Sequence, residues 1–192
     1  MTTDPQDGRS NKERMLAGDL YITDAEILED QVRSQELMVA YNTAAPGDSR
    51  LRRQLLEELF ESVGEDTEIR PPLYIDYGSR ITIGARCFAN FGLVALDVAP
   101  ITIGDDVQIG PNVQLLTPTH PVEPGPRRDK WESAQPITIG DNVWLGGGVI
   151  VLPGVTIGAD TVVGSGAVVT KDLPAGVLAV GNPARIVRSL SP

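Results

Sequence analysis

The chain repeats in units of six residues over much of its length. Units such as ITIGAR, CFANFG, ITIGDD, VQIGPN, ITIGDN, VWLGGG and VTIGAD fall in two runs, which start at Ile69 and Ile137. Apolar residues fill the first and third positions, the alternation of a short strand with one buried face. Glycine recurs at the fourth position, which predicts a corner with positive φ or close packing. A strand and a corner every six residues cannot form hairpins, so the repeat predicts a parallel coil.

Three units make one turn of roughly 18 residues, and strands of successive turns pair around a three-sided core. About five turns fit between Ile69 and Val180. The sequence therefore predicts an all-β core, a β-helix of hexapeptide repeats over residues 63–184. A helical cap over 1–62 precedes it, and a tail over 185–192 follows it.

The predicted cap contains three helices. KERMLAGDL ends at Gly18, and TDAEILEDQVRSQELMVAYN opens with a capping box from Thr23 to Glu26. The third helix, SRLRRQLLEELFESV, ends before Gly64 and carries an apolar stripe of Leu51, Leu55, Leu56, Leu59 and Phe60. We expect this stripe to pack on one end of the coil and to cover a strand edge that would otherwise invite association.

Composition excludes several classes of function. A formal net charge of −10 argues against binding to nucleic acid or to an anionic membrane surface. No stretch approaches the ~20 apolar residues of a membrane span, and the first residues lack the apolar segment of a secretion signal, which predicts a cytoplasmic location. A single cysteine, Cys87, and a single histidine allow neither an internal disulfide nor a zinc site.

One long interruption breaks the repeat, and the only histidine stands at its start. Residues 119–136 separate the two runs of hexads and predict a projecting loop, with His120 at its root. Imidazole is a natural general base near neutral pH, and a side chain in this position can face a neighbouring copy of the chain. The alternative is a histidine that is structural or merely exposed.

Other residues depart from the repeat, and each has two interpretations. Trp144 takes an outward position, where it either packs against a neighbouring subunit or lines a ligand site. Asp76, counted as outward in IDYGSR, is either a solvated carboxylate or part of a site. Asn90 replaces the corner glycine, which asparagine can do because it tolerates the left-handed conformation. Asp97, in LVALDV, is equally ambiguous.

Cations gather near the C-terminus of this acidic chain. They are Lys171, Arg185 and Arg188. Such a group can hold phosphates through charge-assisted hydrogen bonds, although a helix-end cation is a fair alternative for Arg188.

Together these motifs resemble one family. ERMLAGDLY, LMVAYN, PPLYIDYGSRITIG, LDVAPITIGD, TPTHPV, NVWLGGG, TKD and GNPARIV match the hexapeptide-repeat acetyltransferases with a left-handed β-helix. Within these the chain resembles the maltose, galactoside and nodulation-factor O-acetyltransferases, and LDVAPITIGD is most similar to the maltose type. The left hand of the coil comes from this resemblance, because the usual crossover rule would predict a right-handed one.

The resemblance implies acetyl transfer from acetyl-CoA to a hydroxyl of a maltose- or glucose-like sugar, in a homotrimer with active sites between adjacent subunits and with no metal. It implies that His120 takes the proton of the acceptor hydroxyl. The implied acceptor-binding residues are Asp24, Asp76, Asn90, Asp97 and Glu132. The implied coenzyme-binding residues are Trp144, Gly147, Ser165, Thr170, Lys171, Arg185 and Arg188.

Two positions depart from the family pattern. Gly147 replaces a serine of some relatives, which leaves a backbone N–H as the expected donor to the thioester oxyanion. Val98 replaces an aspartate that contacts sugar in galactoside relatives, with Asp97 beside it, which argues against a galactoside acceptor.

Glu132 is expected to orient the imidazole, to accept from the sugar or to be merely solvated. The alternatives to sugar acetylation are an amino-sugar or xenobiotic acceptor, and a non-catalytic trimeric binding module.

Overall fold

A three-sided parallel β-helix forms the body of the protein. The computed structural model describes residues 8–190. Residues 1–7 and 191–192, the outer ends of the predicted cap and tail, lie outside the described residues. Five strands on each face give five complete turns, and a further strand on one face begins a sixth. The predicted fold class is confirmed.

The strands of each face pair in parallel register. The first face consists of β1 (Ser62–Val63), β4 (Ile81–Ile83), β7 (Ile101–Ile103), β12 (Ile137–Ile139) and β15 (Thr156–Ile157). The second consists of β2 (Glu68–Ile69), β5 (Phe88–Ala89), β8 (Gln108–Ile109), β13 (Trp144–Leu145), β16 (Val162–Val163) and β18 (Val177–Val180). The third consists of β3 (Leu73–Ile75), β6 (Leu93–Leu96), β9 (Gln114–Leu116), β14 (Ile150–Val151) and β17 (Val168–Val169).

Inward residues of successive turns stack into ladders that fill the coil. Ile81, Ile101 and Ile137 are register partners on the first face and are at most 1% exposed. Each such side chain contributes about 1.5 to 3 kcal/mol by leaving water. The apolar residues at the first and third hexad positions therefore form the core of the coil, as the alternation predicts.

The recurrent glycine of the fourth hexad position does not coincide with the positive φ values. Positive φ falls on the sixth position, for example at Asp106 and Asn142. At the fourth position glycine is needed for close packing: a Cβ on Gly110 would lie 2.5 Å from the Gly147 nitrogen, and one on Gly146 would lie 2.5 Å from the Ser165 nitrogen. Of the two reasons expected for the recurrent glycine, close packing is therefore the one that applies.

The hexad register of the first turn differs from the prediction. The strand is Leu73–Ile75, so Asp76 follows it at the corner and is not the outward residue of a strand. The two extra residues are Ser79–Arg80, and Ala99–Pro100 are extra one turn later. The long loop leaves the same corner in the third turn. We call this edge, formed by 79–80, 99–100 and 119–136, the insertion corner.

Three helices precede the coil: α1 (Asn11–Leu16), α2 (Ala25–Thr43) and α3 (Ser49–Leu59). The capping box predicted at Thr23 and Glu26 is wrong, because Asp24 is the N-cap of α2 and accepts from the Ile27 nitrogen. A carboxylate is a strong N-cap, and it displaces the threonine by one position. A capping box does occur one helix earlier, between Ser10 and Glu13.

The helices cover the open end of the coil, as expected. The Asn42 amide donates to the Leu73 carbonyl and accepts from its N–H, both at 2.8 Å, as a neighbouring strand would. The Tyr41 hydroxyl donates to the Ile69 carbonyl. The α3 stripe joins the main core through Leu55, Leu56, Leu59 and Phe60, whereas Leu51 is exposed. The edge of the first turn is thereby closed to further strands.

Two segments add structure outside the coil. The loop at the insertion corner contains the antiparallel pair β10 (Pro118–Thr119) and β11 (Ser133–Ala134), with α4 (Pro124–Arg128) between them. The segment predicted as a tail carries β19 (Arg185–Ser189), which runs antiparallel to β18 along the second face. Among residues 8–190, no helix is both long and apolar enough to span a bilayer.

Candidate active site

His120 lies at the root of the loop, on the insertion corner, and its side chain is exposed. Its Nδ1 is 3.4 Å from the carbonyl oxygen of Trp131, on the returning arm of the loop. A carbonyl only accepts, so this contact requires the Nδ1–H tautomer and leaves Nε2 with a lone pair. The imidazole can therefore take a proton at Nε2.

Tyr21 holds the returning arm of the loop at three points, all on Glu132. The Tyr21 N–H donates to the Glu132 carbonyl at 3.0 Å, and the Glu132 N–H donates to the Tyr21 carbonyl at 2.9 Å. The Tyr21 hydroxyl donates to Glu132 Oε2 at 3.1 Å. The hydrogen bond of the imidazole thus goes to the Trp131 carbonyl, while the Glu132 carboxylate is bound by Tyr21.

Asp97 is a structural residue, which corrects its prediction as an acceptor-binding one. It is 0% exposed, and its carboxylate accepts from the Tyr77 N–H at 2.8 Å and from the Arg80 N–H at 3.3 Å. Both N–H groups belong to the region where Ser79–Arg80 interrupt the hexads, and they have no strand partner there. The buried carboxylate of Asp97 therefore accepts the two hydrogen bonds that carbonyl groups of a neighbouring strand would otherwise accept.

Asp76 stands beside Asp97 at the insertion corner and is half-buried. Burial, followed by the charges of Asp97 and Glu132, raises the pKa of Asp76 to about 6, against the opposing effect of Arg80. The carboxyl therefore changes charge close to neutral pH. The residues that affect it lie on the first two turns and on the loop, so the corner brings Asp76, Asp97 and Glu132 together.

Asn90 lies apart from this group, and Asp24 belongs to the helical cap. The Asn11 amide, 2.9 Å from Oδ2, and then the Ile27 N–H lower the pKa of Asp24, which is committed to capping α2. Asn90 follows β5 on the opposite edge of the third face, and its Oδ1 accepts from the Phe91 N–H at 2.8 Å. The five predicted acceptor residues therefore do not form one cluster within a single chain.

The edge between the second and third faces is narrow. It is built from Asn90, Gly110, Gly146 and Gly164 at the fourth hexad position, followed by Phe91, Pro111, Gly147 and Ser165 at the fifth. We call it the glycine corner. Within residues 8–190 the Gly147 N–H makes no hydrogen bond, and Gly147 is half-buried. Trp144, 54% exposed, stands on the second face beside this edge, between Gln108 and Val162.

The remaining predicted coenzyme residues lie elsewhere. Thr170 and Lys171 follow β17 and return to the insertion corner, two turns below the root of the loop, or about 10 Å along the coil axis. Lys171 and Arg185 line one shallow concavity, together with Asp172, Leu173, Ala184 and Ile186. Arg188 is not part of that lining, and its register partner on β18 is Leu178.

Sequence reasoning missed two side chains at the insertion corner. Tyr21 lies between the first two helices, where no pattern connects it to a loop more than a hundred residues later. Thr117 is 0% exposed, donates to the Leu96 carbonyl at 2.6 Å and accepts from the Ala99 N–H at 2.9 Å. A threonine at the fifth position of its hexad, next to the break in the repeat, was the available signal for this residue.

No group of three or more His, Cys, Asp or Glu side chains in residues 8–190 is arranged to hold a metal ion. The insertion corner therefore carries the His120 imidazole and the Asp76 and Glu132 carboxylates, and the opposite edge carries the Gly147 N–H, which has no partner among residues 8–190. On a parallel β-helix of hexads, these features define a transferase of the hexapeptide-repeat class. Residues 136–171 match the bacterial transferase hexapeptide family of six repeats, and residues 14–64 match the maltose acetyltransferase hexapeptide capping motif.

Comparison with individual proteins narrows the class. The chain is 43% identical to galactoside O-acetyltransferase of Escherichia coli (strain K12), over 93% of this chain and 89% of that protein. A galactoside acetyltransferase in complex with coenzyme A superposes with a TM-score of 0.92 at 41% identity, covering 95% of this chain and 92% of that one. A maltose O-acetyltransferase from Clostridium difficile 630 superposes with a TM-score of 0.88 at 37% identity, covering 96% of this chain and 99% of that one. The chain belongs to the maltose and galactoside O-acetyltransferase family and is an acyltransferase.

Proposed function

We propose that the protein transfers the acetyl group of acetyl-CoA to a hydroxyl of a maltose- or glucose-like sugar, with His120 as the general base in a ternary complex. Acetyl-CoA is the co-substrate of the family, and a structural relative binds coenzyme A. The observation that carries the proposal is the imidazole of His120, exposed at the insertion corner with Nδ1 turned to a carbonyl and Nε2 free.

The chemistry follows from these groups. Nε2 takes the hydroxyl proton as the oxygen attacks the thioester carbon, and the carbonyl oxygen becomes an oxyanion. The free N–H of Gly147 is the donor for this oxyanion, where other members place a serine hydroxyl. When the tetrahedral intermediate collapses, the C–S bond breaks, and the imidazolium returns the proton to the leaving thiolate. Oriented base catalysis contributes about 10²- to 10⁴-fold, so this step depends on His120.

The positions of the predicted residues favour an active site between subunits. His120 and Asp76 lie on the insertion corner, whereas Gly147, Ser165 and Asn90 lie on the glycine corner, across the third face. This separation is roughly 10 to 15 Å, the length of a strand with its corner. In a homotrimer the insertion corner of one subunit can face the glycine corner of the next, which would bring base and oxyanion donor together.

The acceptor set suits a polyhydroxy ligand. Glu132 and Asp76 supply carboxylate oxygens that accept hydrogen bonds from hydroxyl groups, and both are half-buried. We assign Lys171 and Arg185 to the phosphates of coenzyme A, because they are cations that line one concavity. Of the predicted contacts we retain Asp76, Asn90 and Glu132 for the acceptor. Trp144, Gly147, Ser165, Thr170, Lys171, Arg185 and Arg188 are retained for the coenzyme, and Asp24 stays a prediction.

An acetyl-CoA consumption assay tests the proposal. We expect turnover with glucose and maltose above that with galactosides, amino sugars and chloramphenicol, because Val98 offers no carboxylate to a galactoside. His120→Ala should lower kcat/KM by at least about 100-fold with unchanged thermal stability, since the side chain is exposed. Retention of more than about a tenth of kcat/KM would remove His120 from the mechanism. Preference for an amine acceptor would move the function to N-acetylation.

A further inference from the structure

The geometry points to Tyr21 as a positioning residue for His120: the segment between the first two helices holds the arm of the loop whose carbonyl orients the catalytic imidazole. This inference rests on the proposed function, because it assumes that His120 is the base. It assigns a role in the reaction to a tyrosine of the helical cap, far from His120 in the sequence.

The first step of the argument is the contact of the imidazole. The only hydrogen-bonding partner of His120 within residues 8–190 is the Trp131 carbonyl, 3.4 Å from Nδ1. This distance is long for a hydrogen bond, so a small displacement of the carbonyl removes it. The direction of Nε2 therefore depends on where the returning arm of the loop is held.

The second step is what holds that arm. The loop meets the coil at β10 and β11, and the Gln135 N–H donates to the Thr117 carbonyl at 3.0 Å. Beyond that pair, the Trp131 N–H donates to the Pro126 carbonyl at 3.1 Å within the loop. The segment is joined to the helical cap by the two backbone hydrogen bonds between Tyr21 and Glu132, at 3.0 and 2.9 Å. The carbonyl that faces the imidazole lies one residue from this bridge.

The third step is what fixes Tyr21 itself. Its side chain is 2% exposed, in an apolar cluster with Met15, Ile27 and Tyr77. Burial, followed by the Glu132 charge, raises the pKa of the hydroxyl, which therefore stays protonated and donates to Glu132 Oε2. A side chain anchored in a packed cluster and bonded to the loop transmits the rigidity of the helices to Trp131.

A double-mutant cycle tests the inference. Tyr21→Phe removes one atom and keeps the ring in its cluster, so the protein should fold. We expect kcat to fall about 5- to 50-fold while the KM for acetyl-CoA stays within about twofold, because misdirection of the base affects the chemical step. In a His120→Ala background the same substitution should change the residual kcat by less than about twofold, since no imidazole is left to position.

Tyr77→Phe is the matched control. Its hydroxyl is buried in the same cluster but accepts from the Gln31 amide at 3.2 Å and does not touch the loop. We expect this variant to keep kcat. Hydrogen exchange gives a second readout, because the Glu132 amide should exchange faster in Tyr21→Phe and not in Tyr77→Phe.

The inference would be overturned by an equal loss of kcat with and without His120, or by an equal loss in Tyr21→Phe and Tyr77→Phe. Either would mean that the hydroxyl contributes only to packing. An unchanged kcat in Tyr21→Phe would also overturn it. If His120→Ala itself keeps its activity, the proposed function fails instead, and the single variant shows this separately.

Discussion

The insertion corner and the glycine corner bound the same face of one β-helix, yet they are held together by different groups. At the insertion corner, side chains complete the backbone: Asp97 accepts from two N–H groups, and Thr117 joins Leu96 to Ala99. At the glycine corner, the backbones of successive turns pack directly on one another at Gly110 and Gly146, and the Gly147 N–H has no partner among residues 8–190. One edge can therefore carry charged and titratable groups, while the other depends on close contact between backbones.

The largest stability loss should come from adding a methyl group to the glycine corner. In Gly110→Ala the new Cβ would lie 2.5 Å from the Gly147 nitrogen, so the turns must separate. We expect a loss of about 2 to 4 kcal/mol in urea unfolding, from overpacking against backbone that cannot move aside. Gly47→Ala is the control, because nothing lies within 4 Å of its Cβ. Equal effects at the two sites would contradict the close-packing role.

Next in size is the loss of a side-chain bridge at the insertion corner. Thr117→Val leaves the Ala99 N–H buried without a partner, which should cost about 1 to 3 kcal/mol. Thr67→Val is a close match, because that hydroxyl donates to Gly84 at 2.6 Å and accepts from Cys87 at 3.0 Å. We expect similar losses in unfolding experiments but a lower kcat only for Thr117→Val, which lies three residues from His120. Equal kcat values for Thr117→Val and Thr67→Val would show that the side-chain bridge at the insertion corner does not affect catalysis.

A smaller effect should depend on pH. The pKa of Asp76 is raised to about 6 from 3.8, so the folded state binds more protons than the unfolded state between these values, and stability falls as the pH rises through this window. Asp76→Asn removes this penalty. Allowing for solvent screening of a half-buried group, we expect a gain of about 1 to 2 kcal/mol at pH 8 and little change near pH 4.

Asp66→Asn is the control for this pH dependence, because that carboxylate is exposed and asparagine tolerates its left-handed φ of 55°. Unfolding should show no gain for this variant at either pH. A gain for Asp76→Asn that is the same at pH 4 and pH 8 would exclude titration of the carboxyl as its cause.

The smallest effect on stability should come from replacing Trp144. This variant distinguishes a role in the coenzyme site from packing against a neighbouring subunit. The side chain is 54% exposed, so Trp144→Ala should change the free energy of unfolding by less than about 0.5 kcal/mol. If Trp144 lines the coenzyme site, the KM for acetyl-CoA rises several-fold while the oligomeric state, measured by light scattering, is unchanged. A lower oligomeric state in the variant would assign the side chain to packing between subunits.

The sequence indicated the histidine and the loop, but it did not indicate the hexad register of the first turn. His120 and the loop were found because a single histidine coincides with the one long break in the repeat. Asp76 was placed wrongly because IDYGSR fits the hexad alternation as well as LYIDYG followed by an insertion of two residues. Only the pairing of Leu73 with Leu93 and of Ile75 with Ala95 decides between the two registers.

Asp97 and Tyr21 could not be found in this way. A charged residue at the fifth hexad position is usually solvated, and nothing near Asp97 in the sequence reveals that Tyr77 and Arg80 have N–H groups without partners. The bond between Tyr21 and Glu132 joins residues separated by 111 positions. Both roles arise from the insertions, which remove local hydrogen bonds and leave distant groups to replace them.

The sequence by itself determined the coil, its three faces, the helical cap and the position of the histidine at a break in the repeat. The coil and its faces follow from periods of two and six residues, which act locally on strand and corner, and the cap follows from apolar residues at helical spacing. The tertiary structure alone decided that three insertions align at one corner, that Asp97 is buried there, and that Tyr21 holds the loop. Those facts exist only once the turns are stacked, because stacking brings residues of different turns into contact and decides which backbone groups still lack a partner.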